Sequence, residues 1–407
     1  MLEVKGRYNT AKVFTHNIQE EAIAQIVELL DQEAFKGSRV RIMPDTHAGK
    51  GCVIGFTANL GNKGIPNLVG VDIGCGIIAI KLGSIEIDFE GLDKFIRDNI
   101  PHGNKVNKKI QTRFDKGFHD KIAEISNKTK GNFKRNLLSI GSLGGGNHFI
   151  EVNQDKNRDK WLVIHSGSRN FGHRIAEYHQ RKAIEYCNKQ VEYFNDEKNK
   201  QIEILNQENR QGEIETAIEK IEALINKYNL PKYLCFLEDV KLEEYLNDMK
   251  TAQDYANLNR KVMAKKILTY LGLDINSLEH FQTIHNYIDF EDMVIRKGAI
   301  SALKGEKVLI PINMRDGSII AVGKGNEDWN NSAPHGAGRL MSRSRAREVI
   351  DLEQYKHSMK DIWSTSVKES TLDEAPMVYK PIKEILENIK DTVEIVDIIK
   401  PLYNFKS

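Results

Sequence analysis

Five short blocks constrain this chain more than any other feature. They read Val69-Gly-Val-Asp72-Ile-Gly-Cys75-Gly76, Gly144-Gly-Gly-Asn147-His148-Phe149-Ile-Glu151, Ile164-His165-Ser-Gly-Ser168-Arg169, Ile284-His285-Asn286 and Pro334-His335-Gly336-Ala337-Gly338-Arg339. Each sets a residue able to bind metal or attack phosphorus beside glycines or small polar residues. Backbone of that kind turns tightly around an ion or a phosphate instead of filling a core. The blocks predict one active site.

A chain of 407 residues, 40% hydrophobic and 29% charged, is long enough to bury a sizeable core. Its net charge of +2 exerts no global pull on nucleic acid or membrane, so any basic surface is local. No run approaches the ~20 apolar residues of a membrane span, and the N-terminus lacks the apolar stretch of a signal peptide. The cysteines at 52, 75, 187 and 235 form no disulfide framework, which points to reduced thiols and a cytoplasmic protein.

The blocks lie on both sides of a long, charged, helix-patterned stretch at about 174–273, divided at Pro231. That stretch therefore reads as an insertion into one α/β catalytic domain spanning 1–407: an antiparallel arm packed on itself, or a partner-binding arm. Its last helix is expected over Asp254–Leu271. Near the start, Thr15 or Asn17 is expected to cap a helix carrying Ile23, Ile26, Val27 and Leu30. Strands are expected at Val40–Met43, Val53–Phe56, Ile77–Ile80, Trp161–Ile164, Val308–Ile310 and Ser318–Val322. A helix with Arg339, Arg343, Arg345 and Arg347 and a basic C-terminal tail complete the chain. Leu92–Arg135 reads as mostly helical. Within it, 104–135 holds ten Lys/Arg against three acids, a local +7 that fits a solvated face or a phosphate-backbone surface.

Asp72 and Cys75 share one turn, close enough to share one ion or a pair, and His148, His165 and His285 would complete nitrogen ligation. Ligand type alone leaves zinc, manganese and iron open. His335 stands apart, because its small neighbours admit a phosphate and Arg339 follows to neutralise charge. It reads as a nucleophile toward phosphorus or as a further ligand. Asn147 and Arg169 suit phosphate oxygens; His47 and Asp45 suit the shell that orients metal-bound histidines, and His102 and His173 read as structural.

These blocks, with Pro44-Asp-Thr-His47-x-Gly-x-Gly and Arg339-x-Met-Ser342-Arg343, resemble the RtcB family of RNA ligases from Arg41 to the C-terminus. The resemblance implies a GTP- and manganese-dependent ligase that joins RNA 3′-phosphate or 2′,3′-cyclic phosphate ends to 5′-hydroxyl ends. It implies central sheets around a metal site, with Asp72, Cys75, His148, His165 and His285 holding two Mn²⁺ and His335 taking GMP from GTP. It places Asn147, His148, Phe149, Glu151, His285 and Asn286 on the nucleotide. Pro311, Met314, Ser318, Gly336, Ala337, Gly338 and Lys406 join them there, while Arg169, Arg339 and Asp45 fall to phosphate or RNA. A monomer, with an activating protein partner in some settings, is expected. The chain departs from the family pattern at Pro311-Ile-Asn-Met314, where Pro-Gly-Ser-Met is the rule. A metal-dependent phosphohydrolase or an enzyme that only guanylylates RNA ends uses the same residues, and a non-catalytic RNA-binding protein needs only the basic stretch.

Overall fold

Ile77-Ile-Ala-Ile80 is apolar at every position, so a strand there needs cover on both faces. The computed structural model, which describes residues 1–407, supplies it. The helices that matter here are α1 (Glu20–Leu30), α2 (Phe89–Asn99), α3 (Lys116–Lys128), α4 (Phe133–Ser139), α5 (Arg169–Gln207), α6 (Ile214–Tyr228), α7 (Asp239–Tyr270) and α8 (Arg343–Val349). From strand Gly76–Gly83, Ile78, Ile80 and Leu82 pack with Leu92 and Ile96 of α2 and with Met263 and Ile267 of α7. Ile77 and Ala79 face the other way, into a cluster with Phe149, Val163, Leu309 and Ile399.

That strand belongs to a seven-stranded sheet ordered His280–Ile284, Gly76–Gly83, Lys160–Ser166, Phe149–Gln154, Val393–Lys406, Gly317–Gly323 and Lys307–Asn313. Its neighbouring strands are all antiparallel. The two outer strands approach each other, Thr283 Oγ1 donating to the Leu309 carbonyl at 3.5 Å, so the sheet curls almost into a barrel. A six-stranded sheet runs Leu2–Lys5, Thr10–Val13, Val40–His47, Ile54–Asn59, Val294–Lys297 and Asn286–Ile288. The chain crosses from one sheet to the other at His285, the single residue between strands His280–Ile284 and Asn286–Ile288. The result is an α/β fold with mixed sheets.

Several expectations need correction. Gln19, not Thr15 or Asn17, precedes α1 and makes no side-chain cap; Thr15 Oγ1 instead accepts from the Asn17 amide. Residues 100–115 are an irregular loop between α2 and α3. Arg339 lies before α8. The basic tail is the 14-residue strand Val393–Lys406, held between two others inside the sheet.

The helical stretch is uneven. The first half of α5 is anchored through Phe171, Ile175, Ala183 and Cys187, whereas α6, lying along α5, buries only Tyr228. The last helix starts at Asp239, and its buried residues include Tyr255, Asn259, Arg260 and Met263. Its first half packs against α5, and its second half packs under the sheet.

Candidate active site

Strand register assembles the site. His165, Phe149 and Lys406 sit side by side across three strands, with Glu151 opposite Asn404 two residues further on. Gly76 pairs with both Ser166 and Ile284, which brings Cys75, His165 and His285 to the same sheet end. The His285 amide donates to the Cys75 carbonyl at 2.9 Å. Between Asp72 and Cys75 the chain must turn back sharply, and Gly74 does so with φ +72°; a side chain there would press on α7 at Gln253 and Ala256.

Cys75 Sγ lies 3.4 Å from His148 Nε2 and 3.2 Å from His165 Nε2. His165 Nε2 is 3.3 Å from His285 Nε2, and His148 Nε2 is 3.0 Å from Asp72 Oδ2. The outer nitrogens are committed elsewhere. His148 Nδ1 donates to the Leu143 carbonyl at 2.8 Å and His165 Nδ1 to that of Asn147 at 3.1 Å. Both imidazoles thus turn an Nε2 lone pair inward, as metal-bound histidines do. His285 Nδ1 is buried without any partner. Burial pushes His165 and His285 well below the ordinary histidine value, so both are neutral and able to ligate.

Burial works against the Asp72 carboxylate, yet the adjoining His148 ring, its Nε2 3.0 Å away, holds it below its usual value. Burial, with Asp72 beside it, pushes the Cys75 thiol well up, an effect that a bound cation reverses. Thiolate, carboxylate and imidazole donors packed this closely, with mutually facing nitrogens, fit one or two divalent transition ions.

His335 directly follows strand Ser332–Pro334, its ring 4.9 Å from that of His285. Its Nδ1 donates to Asp45 Oδ2 at 2.6 Å and its amide to the same oxygen at 3.1 Å. Asp45 is fully buried behind the imidazole, so it orients His335 and reaches neither phosphate nor a metal-ligand histidine, contrary to expectation. Nε2 of His335 is the nitrogen left free.

A cavity of about 260 Å³ opens in front of it. Of the expected nucleotide residues, Asn147, Phe149, Glu151, His285, Asn286 and Pro311 line it. So do Met314, His335, Gly336, Ala337, Gly338 and Lys406, together with Arg339. Two do not. Ser318 is fully buried behind the wall with an unpaired hydroxyl, and His148 opens on the opposite side of the cluster. The Pro311–Met314 departure forms a bulged end of strand Lys307–Asn313, where Asn313 caps the following turn by accepting from the Arg315 and Asp316 amides. Burial raises Glu151 to about 7 despite hydrogen bonds from Asn153 and Asn404 and the nearby Lys406 charge.

On the far side of the Cys75–histidine cluster a second cleft, of about 620 Å³, holds Asp72, His148 and Arg169. Asn147 lines both cavities. Arg169 donates to the Gly103 carbonyl at 2.8 Å and to Ser142 Oγ at 3.2 Å.

Some functional residues escape sequence reasoning. Arg260, fully buried on α7, donates to the carbonyls of Gly74 and Ser166, bracing the two ligand turns. Its neighbour Asn259 donates to Ser166 Oγ and the Gly167 carbonyl and accepts from the Gly141 and Ser142 amides. Glu374, Tyr379 and Arg343 line the cavity in front of His335. There Glu374 pairs with Lys406 at 2.5 Å, and with Arg343 and Arg339. Burial of polar residues such as Asn259, Arg260 and Glu374 marks these positions, and burial is not visible in the sequence.

The chain is similar to known proteins along most of its length. A family profile described as tRNA-splicing ligase RtcB matches residues 32–407. The RNA-splicing ligase RtcB of Escherichia coli K12 is 30% identical, over 95% of this chain and 94% of that protein. RNA-splicing ligase RtcB1 of E. coli ATCC 25922 is 29% identical over the same shares. The tRNA-splicing ligase RtcB of Aeropyrum pernix is 25% identical over 85% of this chain and 83% of its own. The profile spans every one of the five blocks, and the likeness to the E. coli K12 protein runs nearly the full length: the chain belongs to the RtcB family.

Proposed function

We propose that the protein is an RNA ligase that uses GTP and two Mn²⁺ ions to join RNA 3′-phosphate or 2′,3′-cyclic phosphate ends to 5′-hydroxyl ends. The observation that carries this reading is the His335–Asp45 pair. A buried carboxylate on Nδ1 keeps the proton there and leaves the Nε2 lone pair to attack, at the mouth of a cavity that ends at the metal-ligand cluster. A hydrolase would use the same pair as a general base on water and would form no covalent adduct, which is what the labelling experiment separates.

On this reading Nε2 of His335 attacks the α-phosphorus of GTP. A P–N bond forms, the bond to the bridging β-phosphate oxygen breaks, and pyrophosphate leaves. An oxygen of the RNA 3′-phosphate then attacks the same phosphorus and releases the imidazole, giving an RNA-ppG end. The 5′-hydroxyl oxygen, losing its proton, attacks the RNA 3′-phosphorus and expels GMP. A cyclic end enters after hydrolysis to the 3′-phosphate. Asp72, Cys75, His148, His165 and His285 would hold the ions, which when bound neutralise phosphate charge and polarise the attacking hydroxyl. Lys406 and Arg339 lie where they neutralise nucleotide phosphates, and Glu151 and Phe149 where they meet the rest of the nucleotide. Arg169 guides RNA phosphate in the second cleft. Residues 1–407 act as one cytoplasmic catalytic unit, with the stretch at about 174–273 as its insertion.

The test is incubation with Mn²⁺ and α-labelled GTP, with Cys75→Ala and His335→Ala alongside. Acid-labile label on the wild type and on neither variant is expected. A folded, metal-loaded wild type that takes no label overturns the histidine–GMP step and leaves the hydrolase reading.

A further inference from the structure

The cation-rich stretch at 104–135 does not behave as one face. Of its ten Lys/Arg, Lys128 alone is ion-paired, to Glu244 and Asp248. Lys121 lines a hollow together with the carboxylates of Asp115 and Asp254, where a phosphate backbone is unwelcome. Lys130 and Arg135, with Arg174, line the cleft that holds Asp72, His148 and Arg169. Lys105, Lys108 and Lys109 turn instead into an adjoining groove of about 870 Å³, where α7 supplies Lys265.

These four lysines are exposed and have no carboxylate partner, and the groove's one acidic lining residue is Asp98. The arm is built differently: its Lys182, Lys198, Lys200 and Arg210 are each paired with a glutamate. Unpaired like charges held side by side repel one another, and a polyanion relieves that repulsion.

The ridge between cleft and groove is fixed in place. Val106 lines both hollows. Arg135 donates to the Asn104 carbonyl at 2.5 Å, and the Gly103 amide to that of Gly144 at 2.8 Å. Buried Asn107 donates to the Leu138 and Ile140 carbonyls and accepts from Lys266 Nζ at 2.9 Å. The lysines on either side of Asn107 are thereby aimed outward before anything binds. A continuous cationic path runs from the metal cluster over a rigid ridge onto α7.

We propose that the groove formed by residues 105–109 and Lys265 is an extended docking track for single-stranded RNA, gripping the phosphates several nucleotides away from the end that enters the cleft beside Asp72. The proposal rests on the RNA-ligase reading for the identity of the polyanion. The track carries no base-edge readers among these four residues, so it grips RNA of any sequence.

The experiment is fluorescence anisotropy with an RNA of about 20 nucleotides ending in a 3′-phosphate, from 50 to 200 mM salt. It compares wild type with the quadruple variant Lys105→Gln, Lys108→Gln, Lys109→Gln, Lys265→Gln. A control carries Lys182→Gln, Lys198→Gln, Lys200→Gln and Lys220→Gln on the arm. Each single-strand phosphate contact contributes about 0.7 to the slope of log affinity against log salt, so four lost contacts lower its magnitude by about 3. The track variant is expected to show that drop and at least tenfold weaker binding, with an unchanged melting temperature. The arm variant and a 3-nucleotide probe ending in a 3′-phosphate are expected to show neither. An unchanged slope in the track variant, or an equal loss with the 3-nucleotide probe, overturns the proposal. If the wild type takes no GMP label yet the slope drops as stated, the track stands and the histidine–GMP step falls; label with an unchanged slope is the reverse.

Discussion

Glu151 offers a quantitative check on the cavity in front of His335. It is 3% exposed on strand Phe149–Gln154, and burial raises its carboxyl from 4.5 to about 7. Both neighbouring amides donate to it, yet Asn153 Oδ1 and Asn404 Oδ1 are buried with no donor of their own. A protonated carboxyl supplies a donor that either oxygen can take after an amide rotation, and so does the amide of Glu151→Gln. The sign follows from linkage. Below pH 4.5 the group is protonated in both folded and unfolded chains and contributes no difference. Between 4.5 and about 7 the unfolded chain gives up its proton while the folded one keeps it, so stability is lost as pH rises. At about 1.36 kcal/mol for each tenfold change in proton affinity, the loss is about 3 kcal/mol and complete above pH 7. Glu151→Gln removes it. Urea midpoints of the metal-free protein at pH 5 and pH 8 should therefore show the variant gaining about 2–3 kcal/mol on the wild type between those values. Parallel pH profiles for the two proteins would refute a carboxyl raised by burial.

Two further predictions concern the reacting centre. Asp45→Asn removes a charge-assisted hydrogen bond of about 1.5–3 kcal/mol from His335, so GMP labelling should slow about 10- to 100-fold while Mn²⁺ binding by calorimetry is unchanged. Gly167 packs against Asp72 so closely that an added methyl would overlap its carboxylate; Gly167→Ala should push Asp72 off His148 and weaken Mn²⁺ affinity tenfold or more, and unchanged affinity would remove Asp72 from the ligand set.

What the amino-acid sequence by itself determined is which residues have the chemistry to form a site, because local chemistry leaves local marks. A residue able to ligate metal or attack phosphorus, close to glycine or a small polar residue, is legible in Asp72, Cys75, His148, His165 and His335, and an all-apolar run followed by such a residue marks a strand end, as at Trp161–His165. The structure brings these residues together. What the sequence left undecided depends on pairing over hundreds of residues. Lys406 reads from its own neighbours as the end of a basic tail, drawn toward the site only by the family resemblance, and its register opposite Phe149 carries it into the cavity before His335. Arg260 and Asn259 look like solvent-facing members of a charged helix until α7 is seen to lie under both ligand turns. Asp45 has the chemistry of a phosphate-site or metal-site carboxylate, and only its burial behind His335, 290 positions away, makes it the group that sets that imidazole's tautomer. Side-chain chemistry is a property of one residue; burial and hydrogen-bond partnership are properties of two or more, and the fold alone chooses the others.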